Sequence, residues 1–300
     1  TTSGGAAAPG FAITNLGRFQ GGVIDVTAPI IGSGLACPSG ATTCRLQVTG
    51  EMGGANASRV GVTYLTVNSV NSNVISGAAA FAAEAPAGGG GGGDSTFTGT
   101  ATGQTTYAYA SGSLVDAGNS SVAYQSGKIQ SYQSMLTAKT VTAGVVQESG
   151  RLSDAIGWAR WTGDSAGPLT NQNPNTGVHV MSGTPTAMAS LPASGTAQYT
   201  LVGGTKPTMG TLSTLGGSQR APGTITGSLA VAYGATPRVG FDLSTNVGEF
   251  GWRVATAGGA ANPGASQVTV NGQGVFSAQF NKNVGTVTAL SEASCVTGCN

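Results

Sequence analysis

"GSLAVAYGATPRVGFDLS", residues 227 to 244, decides how this chain is read. Leu229, Val231 and Tyr233 alternate with alanines, and after a link of Gly234 to Pro237 the alternation resumes at Val239, Phe241 and Leu243. A period of two is that of a strand with one buried face, so the stretch is expected to form a β-hairpin. The pattern spreads outward from here. "SQVTVNGQGVFSAQF" (266–280) carries Val268 and Val270 before Asn271-Gly272, a dipeptide suited to a type I′ turn, and then Val275 to Phe280 as the return strand. Ala197, Tyr199 and Leu201 alternate in one segment, and Phe250, Trp252 and Val254 in another. Further strands are expected at Val23 to Thr27, Arg45 to Thr49, Val60 to Val67, Thr105 to Ala110, Val122 to Tyr124, Thr140 to Val146 and Ile156 to Thr162.

Short strands punctuated by Gly, Pro, Asn and Ser indicate an all-β chain, an antiparallel β-barrel or sandwich with a smaller N-terminal β region. One short helix is expected within residues 117–139, where Ile129, Tyr132, Met135 and Leu136 fall at helical spacing. No repeat of fixed period is visible, which disfavours a solenoid or propeller. A run of six glycines, Gly88 to Gly93, divides the chain. The expected organisation is a β region at residues 1–85, a Gly-rich connection at 86–104 and an antiparallel barrel at 105–300.

Only 8% of the 300 residues are charged, while 51 are glycine. An ordinary soluble domain carries about 25% charged residues. Twelve basic residues against eleven acidic ones leave no field to attract nucleic acid or an anionic membrane. A surface so poor in charge also offers little electrostatic resistance to self-association. The most apolar run, "GAAAFAAEAPA", is broken by Glu84 and Pro86 and is too short for a membrane helix, so no transmembrane segment is expected. An outer-membrane barrel is disfavoured because 18 aromatic residues show no girdle rhythm.

The four cysteines fall in two local pairs, Cys37 with Cys44 and Cys295 with Cys299. Gly or Pro inside each loop supplies a turn, and two small disulfide loops are expected. A zinc site would need all four thiolates to converge from both ends of the chain, with neither pair in C-x2-C spacing. Disulfides imply an oxidising compartment. The opening "TTSGGAAAPG", without Met, reads as the start of a secreted or cell-surface protein after removal of a signal peptide.

"IGWARWTG" (156–163), residues 179–208, "GSLAVAYG" (227–234) and "GQGVFSAQF" (272–280), followed by Cys295 and Cys299, resemble the C-terminal β-barrel of bacterial FecR-domain-containing exported proteins. That barrel is itself similar to those of transferrin-binding surface lipoproteins. The resemblance covers about half the chain and implies an eight-stranded antiparallel barrel with a packed interior, and no reaction. Membrane anchoring is not expected to carry over from the resemblance, since residues 1–300 include no FecR-type segment and no N-terminal Cys for lipidation. The glycine-and-phenylalanine strand that closes the family barrel is not seen after "CVTGCN", so either the barrel closes by another route or an edge is left open. An open edge invites a strand from another molecule.

No residue constellation identifies a reaction. His179, the one histidine, is a candidate base, metal ligand or haem ligand, and the plainer reading is a strand residue hydrogen-bonded at the barrel rim. No G-x-S-x-G elbow accompanies it. Asp154, Arg160 and Asp164 lie near Trp158 and Trp161, as a paired-carboxylate sugar site would require. The plainer reading puts the two tryptophans on opposite faces of one strand, with the charges at its ends. The hexaglycine lacks the Lys-Ser/Thr of a phosphate-binding loop. Asn56 and Asn119 stand in glycosylation-type triplets, and Tyr107, Tyr109, Tyr124 and Tyr132 are either barrel filler or a sticky surface.

No cofactor, metal or catalytic residue is therefore expected. The expected function is a non-enzymatic exported structural protein, a homo-oligomer or homopolymer forming a fibre, surface layer or matrix. The alternative is a monomeric cell-surface barrel that binds haem, an iron-carrier protein or a small apolar ligand. Assembly is expected through an extended segment, Thr1 to Phe19, with Thr1, Thr2, Phe11, Ile13, Leu16 and Phe19 lying on a neighbour.

Overall fold

The structure, a computed structural model, describes residues 12–13, 19–20, 30–33, 44–68, 73–83, 96–110, 113–135, 138, 140–153, 155–163, 175–211, 220–248 and 250–281. The strands, in chain order, are β1 (Ala12–Ile13), β2 (Phe19–Gln20), β3 (Ile30–Ser33), β4 (Cys44–Gly53), β5 (Arg59–Asn68), β6 (Asn73–Ala83), β7 (Gly99–Ala110), β8 (Ser113–Gln125), β9 (Lys128–Ser134) and β10 (Thr140–Thr142). They continue with β11 (Val145–Leu152), β12 (Ile156–Thr162), β13 (Val178–Gly183), β14 (Gly195–Gly204), β15 (Thr208–Thr211), β16 (Thr224–Tyr233), β17 (Arg238–Val247), β18 (Phe250–Ala255) and β19 (Val275–Asn281). Three short 3-10 turns are the only helical segments among the described residues.

The strands form two curled antiparallel sheets and one small ribbon. The larger sheet runs β19-β4-β5-β6-β14-β16-β17-β18-β3, and β15 pairs with β6 beyond the end of β14. The smaller runs β10-β9-β8-β7-β13-β12-β11. In the smaller sheet β10 and β11 are opposite edges, yet only Ala143 and Gly144 separate them in sequence. So short a link requires the sheet to roll until its two edges approach. Across that seam the Ile129 N–H donates to Ser149 Oγ at 3.1 Å, and Trp161 Nε1–H donates to the Ile129 carbonyl at 3.1 Å.

Each sheet encloses a core on its concave face. In the larger one Val48, Val62, Tyr64, Phe81, Leu229, Val231, Val239 and Phe241 pack together with Val268 and Val270 from the connection between β18 and β19. In the smaller one Val122, Ile129, Val178 and Val180 surround Trp161, which stacks on Tyr132 with ring centroids 6.0 Å apart. A third cluster lies between the sheets. There Leu65, Ala78 and Ala80 of the larger sheet meet Tyr107, Tyr109, Ile156, Trp158 and Met181 of the smaller. This explains why β12 and β13 are buried along their whole length, since one face of each looks into its own core and the other onto the second sheet.

The hairpin at 227–244 forms as the alternation predicts, with Leu229 opposite Phe241 and Val231 opposite Val239. The expected helix is instead the β8–β9 hairpin. Ser126 and Gly127 take φ of 50° and 70°, which suits a type I′ turn. On β8, Ala123 and Tyr124 are consecutive, but their partners on β9 are Ser131 and Ile129. Gln130 is thus an extra residue, and this bulge shifts the phase so that Ile129 and Tyr132 reach one core at a spacing of three. That spacing imitates a helix.

The expected hairpin at 266–280 is also corrected. The chain does turn at Asn271–Gly274, with the Gly274 N–H donating to the Asn271 carbonyl at 3.0 Å. The flanking segments then go to different partners. Val268 and Val270 run beside the start of β17, through Val239 N–H to the Val268 carbonyl and Val270 N–H to the Pro237 carbonyl, while β19 pairs with β4.

The division at 1–85, 86–104 and 105–300 does not follow the sheets. β6 and β14 are hydrogen-bonded neighbours, and the whole smaller sheet is inserted in the connection between them. β7 already begins at Gly99, and β4 to β6 share one sheet with β14 to β19. The hexaglycine and the expected strand at Val23 to Thr27 lie outside the described residues.

Candidate functional site

The side chains with chemistry in them collect in the layer between the two sheets. β4, β5 and β6 turn Thr49, Glu51, Gly61, Thr63, Ala78 and Ala80 toward it, because their neighbours Val48, Val60, Val62, Ala79 and Phe81 point the other way into the larger core. β7, β12 and β13 contribute Tyr107, Tyr109, Ile156, Trp158, Arg160, His179, Met181 and Gly183. Large side chains of one sheet fit small residues of the other. A Cβ at Gly61 would overlap Met181 Sδ, and a Cβ at Gly203 would overlap the Trp158 ring.

His179 is fully buried in this layer, not at a rim. Its Nδ1 lies 2.8 Å from Thr205 Oγ1 and its Nε2 2.7 Å from Thr208 Oγ1. Thr205 lies in the link between β14 and β15, where the Ala78 N–H donates to its Oγ1 at 2.9 Å, and Thr208 is the first residue of β15. Burial, helped by the neighbouring Arg160 guanidinium, lowers the His179 pKa to about 3. The ring is neutral, with one nitrogen donating and the other accepting. Both nitrogens are committed to the opposite sheet, which makes this side chain a clamp and leaves no free nitrogen for a metal or haem iron.

Arg160 is buried as well, and its Nε and Nη2 lie 2.5 Å from the two carboxylate oxygens of Glu148, while Nη1 donates to the Thr176 carbonyl at 2.9 Å. Glu148 on β11 is thus one carboxylate partner of Arg160, and Asp154 and Asp164 lie outside the described residues. Trp158 and Trp161 do take opposite faces of β12, one between the sheets and one in the smaller core. Tyr124 and Tyr132 fill the smaller core, and Tyr107 and Tyr109 the layer. Asn56, with φ 53°, and Asn119 are exposed.

Of the expected disulfides, Cys37, Cys295 and Cys299 lie outside the described residues, and Cys44 is placed by its backbone as the first residue of β4, opposite Asn68. Thr1, Thr2, Phe11 and Leu16 also lie outside, whereas Ile13 and Phe19 are register partners in the β1–β2 ribbon.

Two features had no reading in the sequence. Glu51 has no exposed surface, and neither of its carboxylate oxygens has a hydrogen-bond partner. Burial raises its pKa well above the usual carboxylate range. At the margin of the layer is an open cleft of about 950 Å³, bordered by Gly54, Asn56, Ser153, Ala155, Thr184 and Leu191. The chain returning from β13 to β14 forms one wall, tied down by Thr184 N–H to the Ala155 carbonyl at 3.0 Å and Thr186 Oγ1 to the Gly54 carbonyl at 2.9 Å. Among the described residues no charged or aromatic side chain borders it. Among the described residues, no three His, Cys, Asp or Glu side chains converge on a point that could hold a metal, and no helix is long and apolar enough to cross a membrane. Comparison with protein-family models, curated proteins and solved structures found no match to this chain.

Proposed function

We propose that this chain is a non-enzymatic exported structural protein whose copies associate into an extracellular fibre, surface layer or matrix. The observation that carries the reading is the β1–β2 ribbon, in which Ala12–Ile13 pairs with Phe19–Gln20 and, among the described residues, with neither large sheet. An isolated two-stranded ribbon is marginal in water. Docked on the sheet edge of a second molecule, it would gain the backbone partners and buried area it lacks. The larger sheet offers such edges: β3 pairs with β18 on one side and β19 with β4, and among the described residues no strand pairs with either on its other side. Scarce surface charge and the local cysteine pairs support the same reading.

The binding-barrel alternative rests on the cleft. Among the described residues its border is of Gly, Ala, Ser, Thr, Asn, Pro and Leu, which suits a small apolar ligand more than haem, for which those residues offer neither an aromatic platform nor an axial ligand. Light scattering and electron microscopy of the purified chain separate the two. Large particles or filaments are expected, and a monodisperse particle near the chain mass of 29.2 kDa at high concentration would transfer the proposal to the binding barrel.

A further inference from the structure

We propose that Glu51 is a protonation-dependent latch between the two sheets, holding the inserted sheet against β4 to β6 when it carries its proton and loosening that layer when it loses it. The geometry is that of a fully buried carboxyl group that neither accepts a hydrogen bond nor forms an ion pair among the described residues. Glu51 projects from β4 into the layer, and its Oε1 occupies the space beside the α-carbon of Gly183 on β13, where a Cβ would overlap it. Its register neighbours in the larger sheet, Gly61 and Val275, carry no charge. From the other sheet, β12 and β13 bring Ile156 and Gly183 against it, again without a titratable group. The β7 neighbour is Tyr107, whose hydroxyl is also buried without a hydrogen-bond partner and whose ionisation is opposed first by burial and then by Glu51. From β8, Tyr124 feels the same carboxyl, and its phenol is pushed up to about 12 by burial against the opposing pull of Arg151. Arg151 on β11 stands over the Phe97 ring at 3.9 Å and the Tyr124 ring at 5.0 Å.

Leaving a buried ion unpaired is strongly unfavourable, so the proton is retained in the closed layer well above the pH at which an exposed glutamate loses it. An unfolded or parted chain gives Glu51 back to water, where it ionises with a pKa of about 4.3. Closure is therefore fully supported below that pH and progressively opposed as pH rises toward the folded-state value, beyond which the opposition is constant. Ile156 and Gly183, which lie against Glu51, share the layer with Trp158, so parting of the sheets wets that indole.

The test compares the full wild-type chain with Glu51→Gln, which keeps the shape and removes the charge. The ratio of the wild-type unfolding constant to that of Glu51→Gln is expected to grow by about tenfold or more between pH 4.5 and pH 8. Emission from Trp158, taken as the difference between wild type and Trp158→Phe, is expected to shift toward that of a wetted indole over the same interval. Should Glu51→Gln fail to fold, infrared spectroscopy of the wild type decides alone. A carboxylic-acid carbonyl band that persists at neutral pH and fades on alkalinisation in step with Trp158 wetting supports the latch. The proposal is overturned by a ratio that does not change with pH, or by an infrared spectrum in which every carboxyl group is ionised at neutral pH.

Discussion

Replacing Trp158 with alanine is expected to lower the stability of the chain by about 3–5 kcal/mol, among the largest losses a single truncation produces. The indole is 8% exposed and lies between the sheets, with the backbones of Gly150 on β11 and Gly203 on β14 both close against its six-membered ring. A Cβ at either glycine would overlap the ring, so both backbones have been brought up to it. Neither glycine has a side chain that could swing into the vacated space, and the cavity would persist instead of collapsing. Urea denaturation gives the loss directly. A loss below about 1 kcal/mol would mean that the site relaxes freely and that the contact between sheets does not depend on this residue.

Acidification is expected to weaken the same layer through His179. The folded ring is neutral with a pKa lowered to about 3, whereas a histidine in the unfolded chain takes up a proton below about 6.5. Between those two values the unfolded state binds the extra proton, so stability is complete above about pH 6.5 and falls as pH is lowered, in total by on the order of 5 kcal/mol. Glu51 acts in the opposite sense, because its pKa is raised and the folded state is the one that retains the proton. The two slopes overlap and partly cancel in the wild type. Glu51→Gln should uncover the full loss on acidification, and His179→Gln should remove it. If Glu51→Gln held its stability between pH 6.5 and pH 3.5, His179 would have to be accepting its proton in place, and the reading of a locked neutral ring would fail.

Strand propensity was plainly legible in the residues. The 227–244 hairpin, the Ile156–Thr162 strand and the Val60–Val67 segment were readable because alternation within one strand is a local property. Partnership was not. β6 and β14 lie on either side of the whole inserted sheet, and nothing in "NVISGAAAFAA" or "GTAQYTLVGG" states that each is the other's neighbour. At β9 a single extra residue, Gln130, changed the period and disguised a strand as a helix.

The candidate site was hidden for the same reason. In β4 Glu51 alternates with Val48 and Met52 as a solvent-facing residue of a one-sided sheet would, and only the second sheet, supplied by distant sequence, turns that outer face into an interior. His179 stood out because it is the chain's one histidine. Its role depends on Thr205 and Thr208, which no spacing rule connects to it.

The central claim is assembly through the segment that contains the β1–β2 ribbon, and the direct test is the particle size of the full chain beside a form lacking residues 1–20, at matched concentration. The shorter form retains every strand of both large sheets and should keep the circular dichroism of the full chain. Large assemblies from the full chain and a folded monomer from the shorter form are the predicted result. Assemblies of unchanged size and morphology in the shorter form would contradict it.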